Sequence, residues 1–218
     1  MADKSPKCAY CPTISCCFGT EEGAPRFCPG INKTELVNKA ERVLEDREVL
    51  RCAQEASRVE AAGYCRWTRV QEVIEFSRRM GFNRIGVAFC IGLIREARSF
   101  SDILKAHQFE VISVCCKVGI APKETLGLSD AEKIRPGAFE GHCNPIAQAL
   151  ILDGEQCDLN VLVGLCVGHD ALFFKYTNTL TTVLVAKDRV TGHNPAAVLY
   201  TSDSYYNKLK NPEEESPA

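Results

Sequence analysis

The sequence predicts an α/β fold in three layers: a mostly parallel sheet of the flavodoxin or Rossmann type with flanking helices, preceded by a helical segment and a short cysteine-rich N-terminus. Three observations lead there. Beyond Arg84, short apolar runs alternate with stretches of helical periodicity, the pattern of βαβ units whose sheet is covered on both faces. Between residues 32 and 81, apolar side chains recur at helical spacing. Five of the 13 cysteines fall within the first 28 residues.

Residues 1–31 contain Pro6, Pro12, Gly19, Gly23, Pro25, Pro29 and Gly30 and read as loop. A loop this short keeps one shape only when something staples it. Asn32 and Glu35 have the spacing of a capping box, ahead of Leu36, Val37, Ala40, Val43 and Leu44 on one helical face. A second helix is predicted over 49–62. Thr68 and Gln71 cap a third, running through Val70, Val73, Ile74 and Ser77 to a stop at Gly81. Strands are predicted at 85–90, 110–115, 158–165 and 182–187, and helices at 94–107, 144–152, 169–176 and 195–199. The connection over 117–142 is long for a compact domain, as lids and binding loops are. The expected organisation is thus a cysteine-rich metal-binding segment 1–31, a helical segment 32–82, an α/β domain 83–210 and a solvated acidic tail 211–218.

Charge and hydropathy exclude two classes of partner. Lys and Arg number 26 against 28 Asp and Glu, a formal net charge of −2, so no basic excess drives binding to nucleic acid. No apolar run of signal-peptide or membrane-spanning length is present, which predicts a cytoplasmic protein without a membrane partner. Thiols stay reduced in that compartment, and clustered cysteines there ligate metal or do chemistry rather than cross-link the chain.

The first cysteine group is Cys8-x2-Cys11-x4-Cys16-Cys17-x10-Cys28-Pro29. A C-x2-C start lets two thiolates from one turn reach one metal, and later cysteines complete a tetrahedral or cuboidal site. Cys8, Cys11, Cys16 and Cys28 are the candidate ligands, with one of Cys16 and Cys17 spare. The terminal Cys-Pro resembles the end of a ferredoxin-type run, although the inner spacings depart from it. An iron–sulfur cluster, 4Fe-4S, is the favoured cofactor and zinc the alternative; unligated thiols are the bland reading.

The second group lies where predicted strands run out. Cys90, one of the adjacent Cys115 and Cys116, and Cys166 sit at strand ends, and Cys143 precedes the Asn144-Pro145 helix start. Ligands of parallel α/β sheets bind in the crevice outside the carboxyl ends of the strands. These four are therefore candidate cofactor ligands, against the alternative that they fill the core. Three ligands would leave one iron of a cluster open to substrate. Cys52, Cys65 and Cys157 lack such company and read as structural. His169, Asp170, Lys187 and His193 leave the same sheet edge and are candidate catalytic groups, with Arg189 as a further cation. Helix caps and a solvated turn are the competing explanation. Neither a phosphate-binding loop nor a dinucleotide fingerprint is present.

The runs Ala88-Phe89-Cys90-Ile91-Gly92-Leu93, Gly141-His142-Cys143-Asn144-Pro145-Ile146-Ala147-Gln148-Ala149, Gly164-Leu165-Cys166-Val167-Gly168-His169-Asp170 and Lys187-Asp188-Arg189-Val190, with His193-Asn194-Pro195, resemble the cysteine-rich prokaryotic family called domain of unknown function 1847. The similarity spans almost the whole chain. It implies metal binding, in anaerobes, and no established reaction. It carries over Cys90, Cys116 with Lys117, Cys143, Cys166, His169 and Asp170, whereas Cys17, Cys52 and Cys115 match no motif of the family.

Three functions are compatible with these residues. The first is an iron–sulfur protein with redox or sulfur-related chemistry at the strand-end crevice, working with an electron-transfer protein or a small sulfur-containing or anionic substrate. The second is a non-enzymatic zinc protein with a structural N-terminal site. The third is a carrier that hands metal or sulfur to a partner.

Overall fold

The computed structural model describes residues 5–211; the tail expected at 211–218 lies almost entirely outside them. The chain divides into two compact units, one up to Ala61 and one from Ala62 onward.

In the first unit, residues 5–33 form 3-10 turns at Cys8–Tyr10 and Ser15–Phe18 and the short helix α1 (Pro29–Asn32). Ser15 is the only buried side chain of that stretch; its hydroxyl donates to the Glu22 carbonyl at 2.8 Å. Helix α2 (Thr34–Val43) follows, and α3 (Arg47–Gly63) runs across the division between the units. The capping box expected at Asn32 and Glu35 does not form. Lys33 occupies the N-cap without a side-chain bond, because the Asn32 amide is drawn back to the Arg26 carbonyl.

The second unit is the predicted α/β fold. Helix α4 (Arg69–Met80) has the expected capping box between Thr68 and Gln71 and ends on Gly81 with φ 73°. Four strands follow, β1 (Arg84–Phe89), β2 (Glu110–Cys115), β3 (Leu159–Val163) and β4 (Thr181–Val185), all parallel, in the order β2-β1-β3-β4. Their connections contain α5 (Ile94–Ala106), α6 (Pro145–Gly154) and α7 (His169–Tyr176), and α8 (Ala196–Tyr200) lies beyond β4. Right-handed crossovers put α5 on one face and α6 with α7 on the other. Helix α4 shares the α5 face: Arg78 hydrogen-bonds His107 at 2.7 Å, just beyond α5, and Arg69 reaches Thr182 of β4 at 2.8 Å. No helix among the described residues is long and apolar enough to cross a membrane.

The core is apolar, with Ile85, Val87, Leu104, Leu152, Val161, Val163 and Phe173 sealed from solvent. Each such side chain is worth about 1.5–3 kcal/mol of burial. Three polar side chains, Ser77, Gln148 and Asn160, are equally sealed, and the last two organise the sheet. Asn160, in the middle of β3, donates to the Thr177 hydroxyl at 3.1 Å. Its carbonyl oxygen packs over Gly86, where a Cβ would meet it at 2.2 Å. Gln148, on α6, donates to the carbonyls of Phe89 at 3.2 Å and Val114 at 2.7 Å, and so bridges the carboxyl ends of β1 and β2.

Two stability changes follow from these contacts. Gly86→Ala overpacks the β1–β3 contact and is expected to cost about 1–3 kcal/mol, read as a lower urea midpoint; an unaltered midpoint would mean that Asn160 can turn away. Gln148→Leu keeps the volume but removes one hydrogen bond from each of these strand-end carbonyls, at about 0.5–1.5 kcal/mol for each bond lost. Its denaturation curve should therefore fall well below that of the parent.

Candidate functional site

The carboxyl edge of the sheet gathers the chemistry-bearing residues. Cys90 directly follows β1 and Cys116 directly follows β2. Strand pairing continues one residue past each strand end, with Cys90 N–H donating to the Val163 carbonyl at 3.2 Å and Cys116 N–H to the Phe89 carbonyl at 2.8 Å. Both thiols are buried. After Cys90 the chain enters a 3-10 turn, Ile91–Leu93. That turn aims two backbone N–H groups at sulfur: Ile91 donates to Cys116 Sγ at 3.4 Å, and Gly92 to Cys90.

Cys143 arrives by another route. The long connection over 117–142 folds on itself through 3-10 turns at Lys123–Leu126 and Asp130–Glu132 and an antiparallel bridge between Pro122 and Gly141. Lys133, nearly buried, meets Asp130 at 2.6 Å, Glu124 at 2.8 Å and the Ala138 carbonyl at 2.8 Å, and Lys123 pairs with Glu140 at 2.5 Å. The base of the loop is stitched shut, with Asn144 N–H donating to the Cys116 carbonyl at 2.8 Å and Lys117 Nζ to the Gly141 carbonyl. Cys143 is thereby held beside Cys116, while Asn144 caps α6 through Ala147 N–H at 3.0 Å.

Cys90, Cys116 and Cys143 form one thiol group with Cys116 between the other two. Its hydrogen bond to Cys116, reinforced by the Lys187 ammonium and the Gly92 amide, lowers Cys90 to about 5 in spite of burial. Lys187 Nζ lies 2.6 Å from Cys90 Sγ. Cys143 is lowered to about 3 by the Cys116 thiol and by His169, with Lys117 adding its charge. Cys116 moves the opposite way, because two thiolate neighbours and burial hold its proton on. His169 is raised by the Cys143 thiolate against the effect of burial. Away from this group, burial, with the nearby Glu155, Asp158 and Asp153 carboxylates and against Arg84, pushes Cys157 up to about 11.

The other expected site residues are placed differently. Cys166 stands on the β3 side, where its sulfur accepts from Arg189 Nη2 at 3.3 Å. Asp170 turns its carboxylate to the Ala171 N–H of its own helix, at 2.8 Å. His193 stays in its own loop, where Nδ1 accepts the Asp188 N–H at 3.1 Å and its N–H donates to the Asp188 carbonyl at 2.7 Å. It thus closes the loop that carries Lys187 and Arg189. In the N-terminal group, Cys8, Cys16 and Cys17 are exposed and Cys11 and Cys28 half-buried. Cys11 is lowered by the Thr13 and Ile14 backbone N–H groups directed at its sulfur. Among the described residues, no three or more His, Cys, Asp or Glu side chains stand in an arrangement ready to hold a metal ion.

Gln148 joins this edge although it was not among the site residues expected from sequence. For Gln148 a signal exists: it is the one long polar side chain inside the apolar run Pro145-Ile146-Ala147-Gln148-Ala149-Leu150-Ile151-Leu152.

Known proteins add the following. A family model described as "Protein of unknown function (DUF1847)" matches residues 28–184. An uncharacterized protein of Methanocaldococcus jannaschii is 42% identical over 202 residues, which are 93% of this chain and 96% of that protein. Among solved structures, Dph2 from Pyrococcus horikoshii with a 4Fe-4S cluster is similar at a TM-score of 0.36 and 16% identity, over 66% of this chain and 33% of that one. A second structure of Dph2 from Pyrococcus horikoshii is similar at a TM-score of 0.35 and 16% identity, over 66% and 32%. This chain therefore spans about a third of the length of those structures. The family match takes in Cys90, Cys116, Cys143 and Cys166, the relative aligns over nearly the full length of both chains, and the chain accordingly belongs to the DUF1847 family.

Proposed function

We propose that this protein is a metal-thiolate protein whose strand-end cysteines Cys90, Cys116 and Cys143 hold an iron–sulfur cluster, with His169, Lys187 and Lys117 around it. The observation that carries this reading is the set of N–H groups directed at sulfur. Gly92 N–H and Lys187 meet Cys90, and Ile91 N–H meets Cys116. Such bonds hold cluster-bound sulfurs in place and set their potential. The donor chemistry also fits: three adjacent thiols confine two negative charges beside a retained proton, and a metal cation replaces that proton. A cluster bound there supplies one-electron transfer or an iron site for a sulfur-containing or anionic ligand. The chain's own part is to keep the thiolates oriented, through the 3-10 turn and Lys187, and to hold a proton on His169 beside Cys143.

The N-terminal cysteines Cys8, Cys11, Cys16 and Cys28 belong to the same reading as a separate structural metal site. Residues 5–33 have no buried apolar side chain, so ligation supplies what a core does elsewhere. The backbone N–H groups at Cys11 prepare it as a thiolate ligand.

The test is anaerobic reconstitution of the full chain with iron and sulfide, followed by metal and acid-labile sulfide analysis and visible absorption. With Cys8 and Cys11 both changed to Ser, one cluster per chain is expected to remain, and further change of Cys90 or Cys143 to Ser should abolish it. Stoichiometric zinc without labile sulfide would replace the iron–sulfur reading with the zinc one. For the N-terminal site, stripping metal with a chelator should speed proteolysis within residues 5–33 while the far-ultraviolet circular dichroism of the sheet unit persists. Equal cleavage before and after stripping would remove its structural role.

A further inference from the structure

Cys116 touches two thiols that differ in access. Cys90 and Cys116 are 5% and 1% exposed, whereas Cys143 is only half-buried. A reagent from solution therefore meets Cys143 first, and the partial burial favours a small reagent over a disulfide carried on a folded protein. Cys143 also has the surroundings of an attacking thiol, since His169 hydrogen-bonds it and the Lys117 ammonium lies near. Cys90 is instead held by Lys187 and the Gly92 N–H.

Cys116 and Cys143 are further placed for a bond between their sulfurs. Asn144 N–H donates to the Cys116 carbonyl at 2.8 Å, which brings the two backbones to roughly the Cα spacing of paired strands, about 4.5–5.5 Å. A disulfide spans about 4.4–6.8 Å between Cα atoms. The two thiols are already hydrogen-bonded to each other. Cys115, the neighbour in sequence, ends β2 and packs against the apolar core; alternation along a strand sends adjacent side chains to opposite faces.

We infer that the metal-free protein carries out thiol–disulfide exchange on low-molecular-weight disulfides, with Cys143 as the attacking cysteine and Cys116 as the resolving one. The Cys143 thiolate bonds to one sulfur of the external disulfide RSSR, whose S–S bond breaks, and RS⁻ leaves with the electron pair. Cys116 Sγ then bonds to Cys143 Sγ, the mixed S–S bond breaks, and the second RS⁻ leaves and takes up the Cys116 proton. Two electrons pass from the cysteines to RSSR, and an intramolecular disulfide remains. The exchange itself needs no metal and goes beyond the proposed function. Its consequence for metal uptake rests on that reading, because the disulfide withholds Cys116 and Cys143 from the ligand set.

The test takes the full-length protein, reduced and freed of metal with a chelator, and treats it anaerobically with excess bis(2-hydroxyethyl) disulfide before an acid quench. Cleavage after glutamate gives peptides 111–124 and 141–155, and mass spectrometry should find them joined without retained reagent. Cys115→Ser and Cys90→Ser should keep the link. Cys116→Ser should stop at the mixed disulfide, with one hydroxyethylthio group on Cys143, and Cys143→Ser should leave Cys116 free. Peptides that stay separate in the parent overturn the inference. So does a mixed disulfide at Cys143 that persists in the parent as it does in Cys116→Ser, or a link lost in Cys115→Ser. With Cys8 and Cys11 changed to Ser, the oxidised chain should take up no iron and sulfide until dithiothreitol is added. Uptake unaffected by the disulfide, or absent in both states, defeats the proposed ligand set instead, and the joined peptides still decide the exchange.

Discussion

The site depends on one buried amide. Gln148 donates to the last carbonyls of β1 and β2, the two strands that deliver Cys90 and Cys116. Because Gln148 sits one turn into α6, the same bonds seat the start of that helix, and with it Asn144 and Cys143, against the strand ends. A wholly apolar helix face would pack on the sheet equally well, but it would give up the hydrogen bonds that tie the helix to these two carbonyls. Hydrogen bonding fixes position more sharply than apolar contact does, since the penalty for an unpaired buried group rises over a few tenths of an ångström. One side chain thus ties together the three segments that carry the thiol group.

Gathering three thiols has an electrostatic cost that the surroundings meet only in part. Two unit charges 4 Å apart repel by about 4 kcal/mol at an effective dielectric of about 20. Lys187, Lys117, His169 and the Gly92 N–H offset this for Cys90 and Cys143, which are lowered. Nothing comparable faces Cys116 beyond the Ile91 amide, and its proton is held on. The thiol group is therefore short of one cation. Binding a metal ion or cluster resolves that shortage, which is why the reading as a ligand set is physically stronger than a reading as packing residues. Cys157 is the contrasting case: burial first, and then neighbouring carboxylates, push it up to about 11.

Much of the fold was legible because the signals were local. The capping box at Thr68 and Gln71, the Gly81 stop, the Asn144-Pro145 helix start and the apolar strands all depend on neighbours within a few residues. The one capping box that did not form, at Asn32 and Glu35, lost its Asn amide to the Arg26 carbonyl, a loop contact that spacing does not announce. At the candidate site, strand-end position was enough to group Cys90 with Cys116. It was not enough for Cys143 or Cys166. Cys143 joins because the long loop is closed at its base by Asn144 N–H and Lys117, and a closure of that kind depends on how a 26-residue excursion (117–142) folds. Cys166 shares the strand-end position but turns to Arg189, a choice made by side-chain direction. His193 and Asp170 were near the edge in sequence and spend their polar atoms on their own loops.

The two cysteine groups differ in what the chain invests in them, and this separates their roles. Residues 5–33 bury only Ser15, so there is little apolar surface to offset the backbone entropy of holding a shape. A metal bound there would act as the core and contribute folding energy directly. The sheet unit has the opposite balance. Cys90 and Cys116 belong to its core and Cys143 packs against it, and at that carboxyl edge the structure sets thiolates and cations against one another. Arrangements that cost stability in this way are characteristic of functional sites rather than structural ones. On the proposed function, the N-terminal thiols would hold the chain and the strand-end thiols would carry the chemistry for which the sheet is the scaffold.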